Sequence, residues 1–143
     1  MNLTDSHCHL DYPDTNSDKA VQEAEQAGVT RLLTVSVKLS DPSPVFLSEK
    51  YPNVFASVGV HPEYAAEEEE GTTVEALCRA SQHPKVIGFG ETGLDYHYNS
   101  DTKEAQKRLF RIHLKAAKKT GLPVIIHTRD AEEDTLEIKK SEA

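Results

Sequence analysis

Five short apolar runs alternate with helical patterns along this chain, and the alternation constrains the fold more than any other feature. The runs are rich in Val, Ile and Leu and are bounded by Gly, Pro, Asn or Asp, as strands are. Each interval between two runs is long enough for a crossover helix. Strands that alternate with helices form parallel sheets through right-handed βαβ units. The sequence therefore predicts one α/β domain with five parallel strands, near residues 2–8, 31–37, 53–60, 86–91 and 124–127.

Two of the helical patterns are well defined. Segment 17–28 carries alanines on one stripe and ends at Gly28, which suits the residue after a helix end. Segment 101–121 is the clearest helix, and Gly121 and Pro123 stop it. Its first residues, Asp101 and Glu104, resemble a capping box. Its apolar stripe consists of Ala105, Leu109, Ile112 and Ala116.

Length and cysteine content fit a single cytoplasmic domain. At 143 residues the chain can bury a core of ordinary size. No apolar run approaches the roughly 20 residues that span a membrane, and the N-terminus lacks the basic and apolar regions of a signal peptide. Cys8 and Cys78 do not form a C-x-x-C pair, and we interpret them as reduced thiols.

The net charge of −8 argues against a broad basic surface that would grip nucleic acid. It does not exclude an enzyme that acts on nucleic acid, because divalent cations can supply positive charge where phosphates bind.

Residues 5–11, DSHCHLD, contain the first candidate metal-binding residues. Side chains alternate along a strand, so His7 and His9 project to one side and Cys8 to the other. This spacing presents two imidazoles to one metal ion, and Asp5 on the same side could orient a ligand. The pair alone is a weak signal, since two partly exposed histidines at a strand end would look the same.

Two later strands end in further metal-preferring side chains. In GFGETGLDYHY and the isoleucine just before it, alternation predicts that Ile87, Phe89 and Glu91 share a face, with Glu91 at its C-terminal end. A carboxylate that leaves a buried strand needs a partner, which a salt bridge or a loop cap would also supply. In VIIHTRD, Ile125 and His127 share a face, although one such histidine is more often a core residue.

Together the three positions say more than each alone. Active sites in α/β folds lie at the C-terminal ends of parallel strands. Two imidazoles, one carboxylate and one further imidazole at three such ends suit a divalent ion. A carboxylate between two histidine-bearing strands could also bridge two ions.

The motifs DSHCHLD, VGVHPEYA, GETGLDYHY and GLPVIIHTRDAEEDTLEI resemble, in order and approximate spacing, those of the TatD family of metal-dependent deoxyribonucleases. That family consists of amidohydrolase-like (β/α)₈ barrels, and the resemblance runs to about residue 138. It implies a partial (β/α)₈ TIM barrel of about five βα units. It also implies hydrolysis of phosphodiester bonds in DNA by metal-activated water.

The resemblance further implies roles for named residues. His7 and His9 would bind one metal, Glu91 would bridge two metals at the catalytic centre, and His127 would bind the second. The cofactors would be divalent cations in two sites, such as Mg²⁺, Mn²⁺ or Zn²⁺. The expected partner is a DNA substrate, and no membrane partner is expected.

Three other residues fall near the implied site. His61 of GVHP and Arg129 of HTRDA look like phosphate contacts, and a planar guanidinium suits that role. Capping of the backbone next to Pro62 would explain His61 equally well. Asp95 of GLDY is expected to organise its loop, since an acid beside a phosphate needs a cation between them.

The remaining histidines are interpreted as structural. His83 precedes Pro84 in a turn, and His113 lies beside the apolar stripe of the long helix. His97 falls near the implied site but matches no firm family position.

The length of the chain departs from the family pattern. A (β/α)₈ barrel typically needs ~200–250 residues, and family members supply three further strands, another metal-binding histidine and an aspartate that handles the attacking water. We therefore expect a single incomplete hydrolase domain over residues 1–143, a barrel that this chain alone does not close, and two unpaired edge strands. Such edges favour self-association or a complementing C-terminal chain.

Two other functions stay open at this point. Related amidohydrolases cleave amides, esters or lactones and often carry a carbamylated lysine on the fourth strand, where this chain has Glu91; that difference favours the nuclease. The chain could instead be a non-catalytic fragment that needs a complementing chain.

Overall fold

The structure is a computed structural model that describes residues 1–143. Its five strands are all parallel and lie in the order β1-β2-β3-β4-β5, so that neighbours in sequence are neighbours in the sheet. The sheet curls into a half-barrel, which confirms the predicted partial (β/α)₈ architecture. The strands are β1 (Leu3–Cys8), β2 (Val29–Thr34), β3 (Val54–Val58), β4 (Val86–Asp95) and β5 (Val124–Arg129).

The helices lie between the strands and after the last one. They are α1 (Ser17–Gln26), α2 (Ser43–Lys50), α3 (Ala65–Glu68), α4 (Val74–Ala80), α5 (Lys103–Thr120) and α6 (Glu132–Ser141), with short 3₁₀ turns at Pro62–Tyr64 and Ser100–Thr102. None of them combines the length and the hydropathy that a membrane crossing requires.

The ends of the two predicted helices show why sequence patterns give boundaries less reliably than elements. Helix α1 starts after Asn16, whose side chain accepts the Lys19 amide hydrogen. The capping box predicted for α5 is wrong: the residue before that helix, Thr102, makes no side-chain cap, because a 3₁₀ turn there leads directly into the helix. Gly121 ends α5, as predicted, and it takes the left-handed conformation.

The main core lies between the sheet and the helices. Phe89 of β4 is fully buried there against Leu77 of α4 and Ala116 of α5. The prediction that Ile87, Phe89 and Glu91 share this face is wrong. Ile87 is 40% exposed, and the Glu91 carboxylate faces histidines of other strands instead of this core, after a register shift between Phe89 and Thr92. Val86 and Gly88 pair with two consecutive residues of β3, so Ile87 is an extra residue in β4. Such a bulge breaks the alternation of side chains on which the prediction rested.

One of the histidines interpreted as structural belongs to this core. His113 of α5 is completely buried, accepts the Val60 amide hydrogen at Nε2 and donates from Nδ1 to the Leu109 carbonyl. Its two ring nitrogens are thus both satisfied, and the interpretation of His113 is confirmed.

Candidate metal centre

Histidine and carboxylate side chains from three strands meet at the C-terminal end of the half-barrel. His7 lies in β1 and His9 just after it, Glu91 lies in β4 and His127 in β5. Two glycines let β4 approach β5 closely enough for this meeting. A Cβ atom at Gly90 would lie 2.7 Å from the Ile125 carbonyl oxygen, and one at Gly93 would lie 2.0 Å from that of His127.

Glu91 stands at the centre of the cluster. Its Oε2 lies 3.3 Å from Nε2 of His7 and 3.8 Å from Nε2 of His9, and its Oε1 lies 3.3 Å from Nδ1 of His127. The two carboxylate oxygens therefore face two different sets of imidazoles. The structure brings together all four residues that the sequence proposed as metal ligands; their metal-binding role stays a prediction.

These separations suit ligands that share an ion. Two ligand atoms at about 2.0–2.2 Å from a tetrahedral ion lie roughly 3.3–3.6 Å apart. The His7 and His127 separations from Glu91 fall within this range, and the His9 separation is slightly longer. Glu91 is only 9% exposed, and its ion-pair partners are all histidines. A buried carboxylate so placed is best stabilised by a cation.

In His9 and His127, the ring nitrogen that faces away from Glu91 makes a hydrogen bond. The ring nitrogen that faces Glu91 is left free to bind a metal. Nδ1 of His9 lies 3.0 Å from the Val35 carbonyl, which can only accept, so Nδ1 carries the hydrogen. Nε2 of His127 donates to Asp95 at 3.0 Å. Hydrogen bonds of this kind fix the tautomer and orientation of metal-binding histidines.

Asp95 connects His127 to the loop after β4. Besides His127, its carboxylate accepts the backbone N–H groups of His97 and Tyr98. Burial alone would raise the pKa of Asp95, but the hydrogen bonds from His127, Tyr98 and His97 outweigh it and hold the pKa below its ordinary value. The carboxylate is therefore ionised while it orients His127, and the expected loop-organising contacts are present.

Cys8 lies on the side that strand alternation predicts, whereas a register shift in β1 between Asp5 and Cys8 interrupts the alternation, so the predicted side of Asp5 stays a prediction. Asp5 accepts the backbone N–H of His7, so it acts on the strand rather than on the imidazole ring. Cys8 points away and donates to the Leu33 carbonyl. Burial, with repulsion from Asp5 and Asp11, raises the pKa of the Cys8 thiol to about 11. Because the sulfur is directed at the Leu33 carbonyl, Cys8 is not among the candidate ligands of the centre.

His61 lies closer to the centre than its predicted role as a phosphate contact required. Its ring centroid is 4.5 Å from that of His127, and a possible ligand atom of His61 lies within 4.8 Å of those of Glu91 and His127. Nδ1 accepts the Glu63 amide hydrogen, which confirms the capping contact and leaves Nε2 free. Burial lowers the pKa of His61, so its imidazole is neutral and suited to a metal.

The donor atoms therefore fall into two groups that share one carboxylate: His7, His9 and Glu91 form the first, and His61, Glu91 and His127 form the second. Imidazole and carboxylate donors in this arrangement suit divalent cations, and Glu91 is common to both groups. Arg129 lies two residues beyond His127 on the same side of β5, at the rim of this centre.

Sequence reasoning missed two partners at this site. Tyr12 stacks on the His9 ring, with centroids 4.6 Å apart, and the Val35 carbonyl holds the same ring. Tyr12 closely follows the H-x-H pair, which is a usable signal. The contribution of Val35 is a backbone atom and has no sequence signal.

Comparison with known protein families is consistent with this geometry. Residues 4–143 match the family model described as TatD related DNase. An uncharacterized metal-dependent hydrolase of Buchnera aphidicola subsp. Acyrthosiphon pisum is 40% identical over 99% of this chain and 58% of its own length. The 3'-5' ssDNA/RNA exonuclease TatD of Escherichia fergusonii is 34% identical over 93% of this chain and 49% of its own length.

A solved structure supports the same assignment. The crystal structure of YJJV, a TatD homolog from Escherichia coli K12, superposes with a TM-score of 0.87 at 31% identity. The match covers 98% of this chain and 56% of that protein. This chain thus spans somewhat more than half the length of its first curated relatives.

Proposed function

Because this chain belongs to the TatD related DNase family, we propose that it supplies a two-metal centre for hydrolysis of phosphodiester bonds in DNA. The placement of Glu91 carries the proposal: each of its carboxylate oxygens faces a different group of imidazoles. Membership makes the chain part of a family of metal-dependent hydrolases, while the nucleic acid substrate is our inference. The exonuclease relative named above supports that substrate.

The residues have separable tasks in this proposal. His7, His9 and Glu91 would hold one cation, and His127 with Glu91 would hold the other, with His61 positioned to assist. The bound cations would lower the pKa of a water molecule and offset charge on the phosphate. Asp95 keeps a proton on Nε2 of His127, so that Nδ1 stays available to a metal.

Arg129 is proposed to bind the phosphate. Its guanidinium enters no salt bridge, and the neighbouring carboxylate of Asp130 pairs with His97. A planar guanidinium binds two phosphate oxygens at once. It would thereby orient the scissile bond towards the metal centre.

We also propose that residues 1–143 form one incomplete hydrolase domain, whose edge strands pair with another polypeptide chain. β1 and β5 are the edges of the sheet, and Leu3 of β1 is 47% exposed. A second copy or a complementing C-terminal chain would pair with these edges. Light scattering of the purified chain distinguishes a monomer from an assembly.

The free thiols of Cys8 and Cys78 support a cytoplasmic location.

Cleavage of a labelled single-stranded oligodeoxynucleotide tests the function. With Mn²⁺, Mg²⁺ or Zn²⁺ we expect shortened products from the wild-type chain and at least about a 100-fold slower reaction for Glu91→Gln. Glu49→Gln is the matched control, since Glu49 pairs with His83 away from the centre. Hydrolysis of amide or lactone substrates with no cleavage of DNA would instead identify an amidohydrolase-type activity.

A further inference from the structure

Tyr98 is an exposed aromatic residue held in a defined position. It is 72% exposed, the highest fraction of any tyrosine or phenylalanine among the exposed apolar side chains. The guanidinium carbon of Arg129 lies 4.9 Å from the centre of its ring. The ring of His97 meets it edge-on, at 90° and a centroid distance of 4.4 Å. Single exposed apolar residues are common, but this ring is also fixed on two sides.

The same contacts tie Tyr98 to the candidate metal centre. Its backbone N–H donates to Asp95, and the other carboxylate oxygen of Asp95 accepts a hydrogen bond from His127. Nδ1 of His97 lies 2.9 Å from the Asp130 carboxylate, which joins the loop after β4 to the loop after β5. Tyr98 is thus two hydrogen bonds away from a predicted metal ligand.

Charge next to the ring matches a nucleotide. The guanidinium of Arg129 lies next to the Tyr98 ring, and no carboxylate pairs with it. Most of the Tyr98 side chain remains open to solvent. A phosphate and an aromatic base that are joined by a sugar would satisfy both groups together. Nucleic acid bases stack on exposed aromatic side chains regardless of sequence, because every base has a π-face.

We propose that Tyr98 and Arg129 form a nucleotide subsite beside the metal centre, with a base stacked on the Tyr98 ring and the adjoining phosphate on Arg129. His97, held by Asp130, positions the ring from its edge. This inference deepens the proposed nuclease function and rests on it for the identity of the ligand. In this subsite Tyr98 contributes to substrate binding only where the nucleic acid carries a base.

Binding measurements on two oligomers test the subsite without depending on cleavage. The probes are a phosphorothioate oligothymidylate, which resists hydrolysis, and an abasic oligomer of the same length and charge. Dissociation constants are measured by fluorescence anisotropy for the wild-type chain, Tyr98→Leu and Tyr98→Phe. Phe46→Leu is the control, since Phe46 is another exposed aromatic residue, on helix α2.

We expect Tyr98→Leu to weaken binding of the oligothymidylate about tenfold and to leave binding of the abasic oligomer unchanged. Tyr98→Phe keeps the stacking surface and should retain wild-type affinity, as should Phe46→Leu. An equal loss for both oligomers would mean that Tyr98 only positions Arg129, and the proposal would be wrong. It would also be overturned if the wild-type chain bound both oligomers equally or neither.

Failure of the nuclease function has a different signature. A base-dependent loss of affinity in Tyr98→Leu, together with no cleavage of unmodified DNA by the wild-type chain, would keep the subsite and refute the nuclease. Cleavage of DNA with no effect of Tyr98→Leu on binding would keep the nuclease and refute the subsite.

Discussion

Acidification should destabilise this protein through one buried histidine. Burial lowers the pKa of His113 to about 4 from an ordinary value of 6.5, and its hydrogen bond to the Leu109 carbonyl opposes this only in part. Nε2 of His113 accepts the Val60 amide hydrogen, so a second ring proton would face another donor. Folding and protonation of His113 therefore compete.

The direction and size of the effect follow from the two pKa values. Between pH 6.5 and about 4 the unfolded chain binds a proton that the folded chain does not, so stability falls as the pH falls through this range. Below about pH 4 both states are protonated and the loss is complete. With these values the free energy of unfolding drops by about 2 kcal/mol between pH 7 and pH 5 through His113 alone.

Urea unfolding followed by circular dichroism at pH 7 and pH 5 measures this loss. His113→Gln has no group that titrates there, so its loss between the two pH values should be smaller than that of the wild type by about 2 kcal/mol. Because each variant is compared with itself at the two pH values, any pH-independent effect of the substitution on the free energy of unfolding cancels. His83→Gln, which removes a histidine from a turn, is the matched control. An equal loss in the wild type and in His113→Gln would refute the reasoning.

Two further predictions concern the candidate centre. Asp95→Asn removes the charged acceptor of His127 and should weaken binding of Mn²⁺ or Zn²⁺ about 10- to 100-fold in calorimetric titrations; unchanged affinity would show that His127 needs no orienting carboxylate. Gly93→Ala places a Cβ 2.0 Å from the His127 carbonyl oxygen at a φ of 137° and should cost at least about 2 kcal/mol in urea unfolding. Gly71→Ala, where nothing lies within 4 Å, should cost far less, and similar values for both would contradict the close approach.

The order and direction of the strands were predictable because apolar runs and helical patterns alternate along the chain. The face of Ile87 was not, because alternation holds only while two strands pair residue for residue, and a bulge in β4 breaks that pairing. The start of α5 failed for a local reason, since a 3₁₀ turn occupies the place of the predicted cap.

The candidate site was predictable to the extent that its side chains end neighbouring strands. The alternation of strands and helices predicts parallel strands, whose C-terminal ends lie at one edge of the sheet. The side chains that end these strands therefore meet there, and they are those of His7, His9, Glu91 and His127. The position of His61 beside His127 depends on the curl of the sheet, which no local pattern encodes. The Tyr98 contacts depend on two loops that are distant in sequence.

Calorimetric titration of the purified chain with Mn²⁺ and Zn²⁺ tests the two-cation centre most directly. We predict that the wild type binds about two ions per chain through the two donor groups that share Glu91. His127→Ala should lose one ion and stay folded by circular dichroism, while His83→Ala should bind as the wild type does. A wild-type chain that is folded but binds no stoichiometric metal, or a His127→Ala variant with unchanged affinity and stoichiometry, would contradict the two-cation centre.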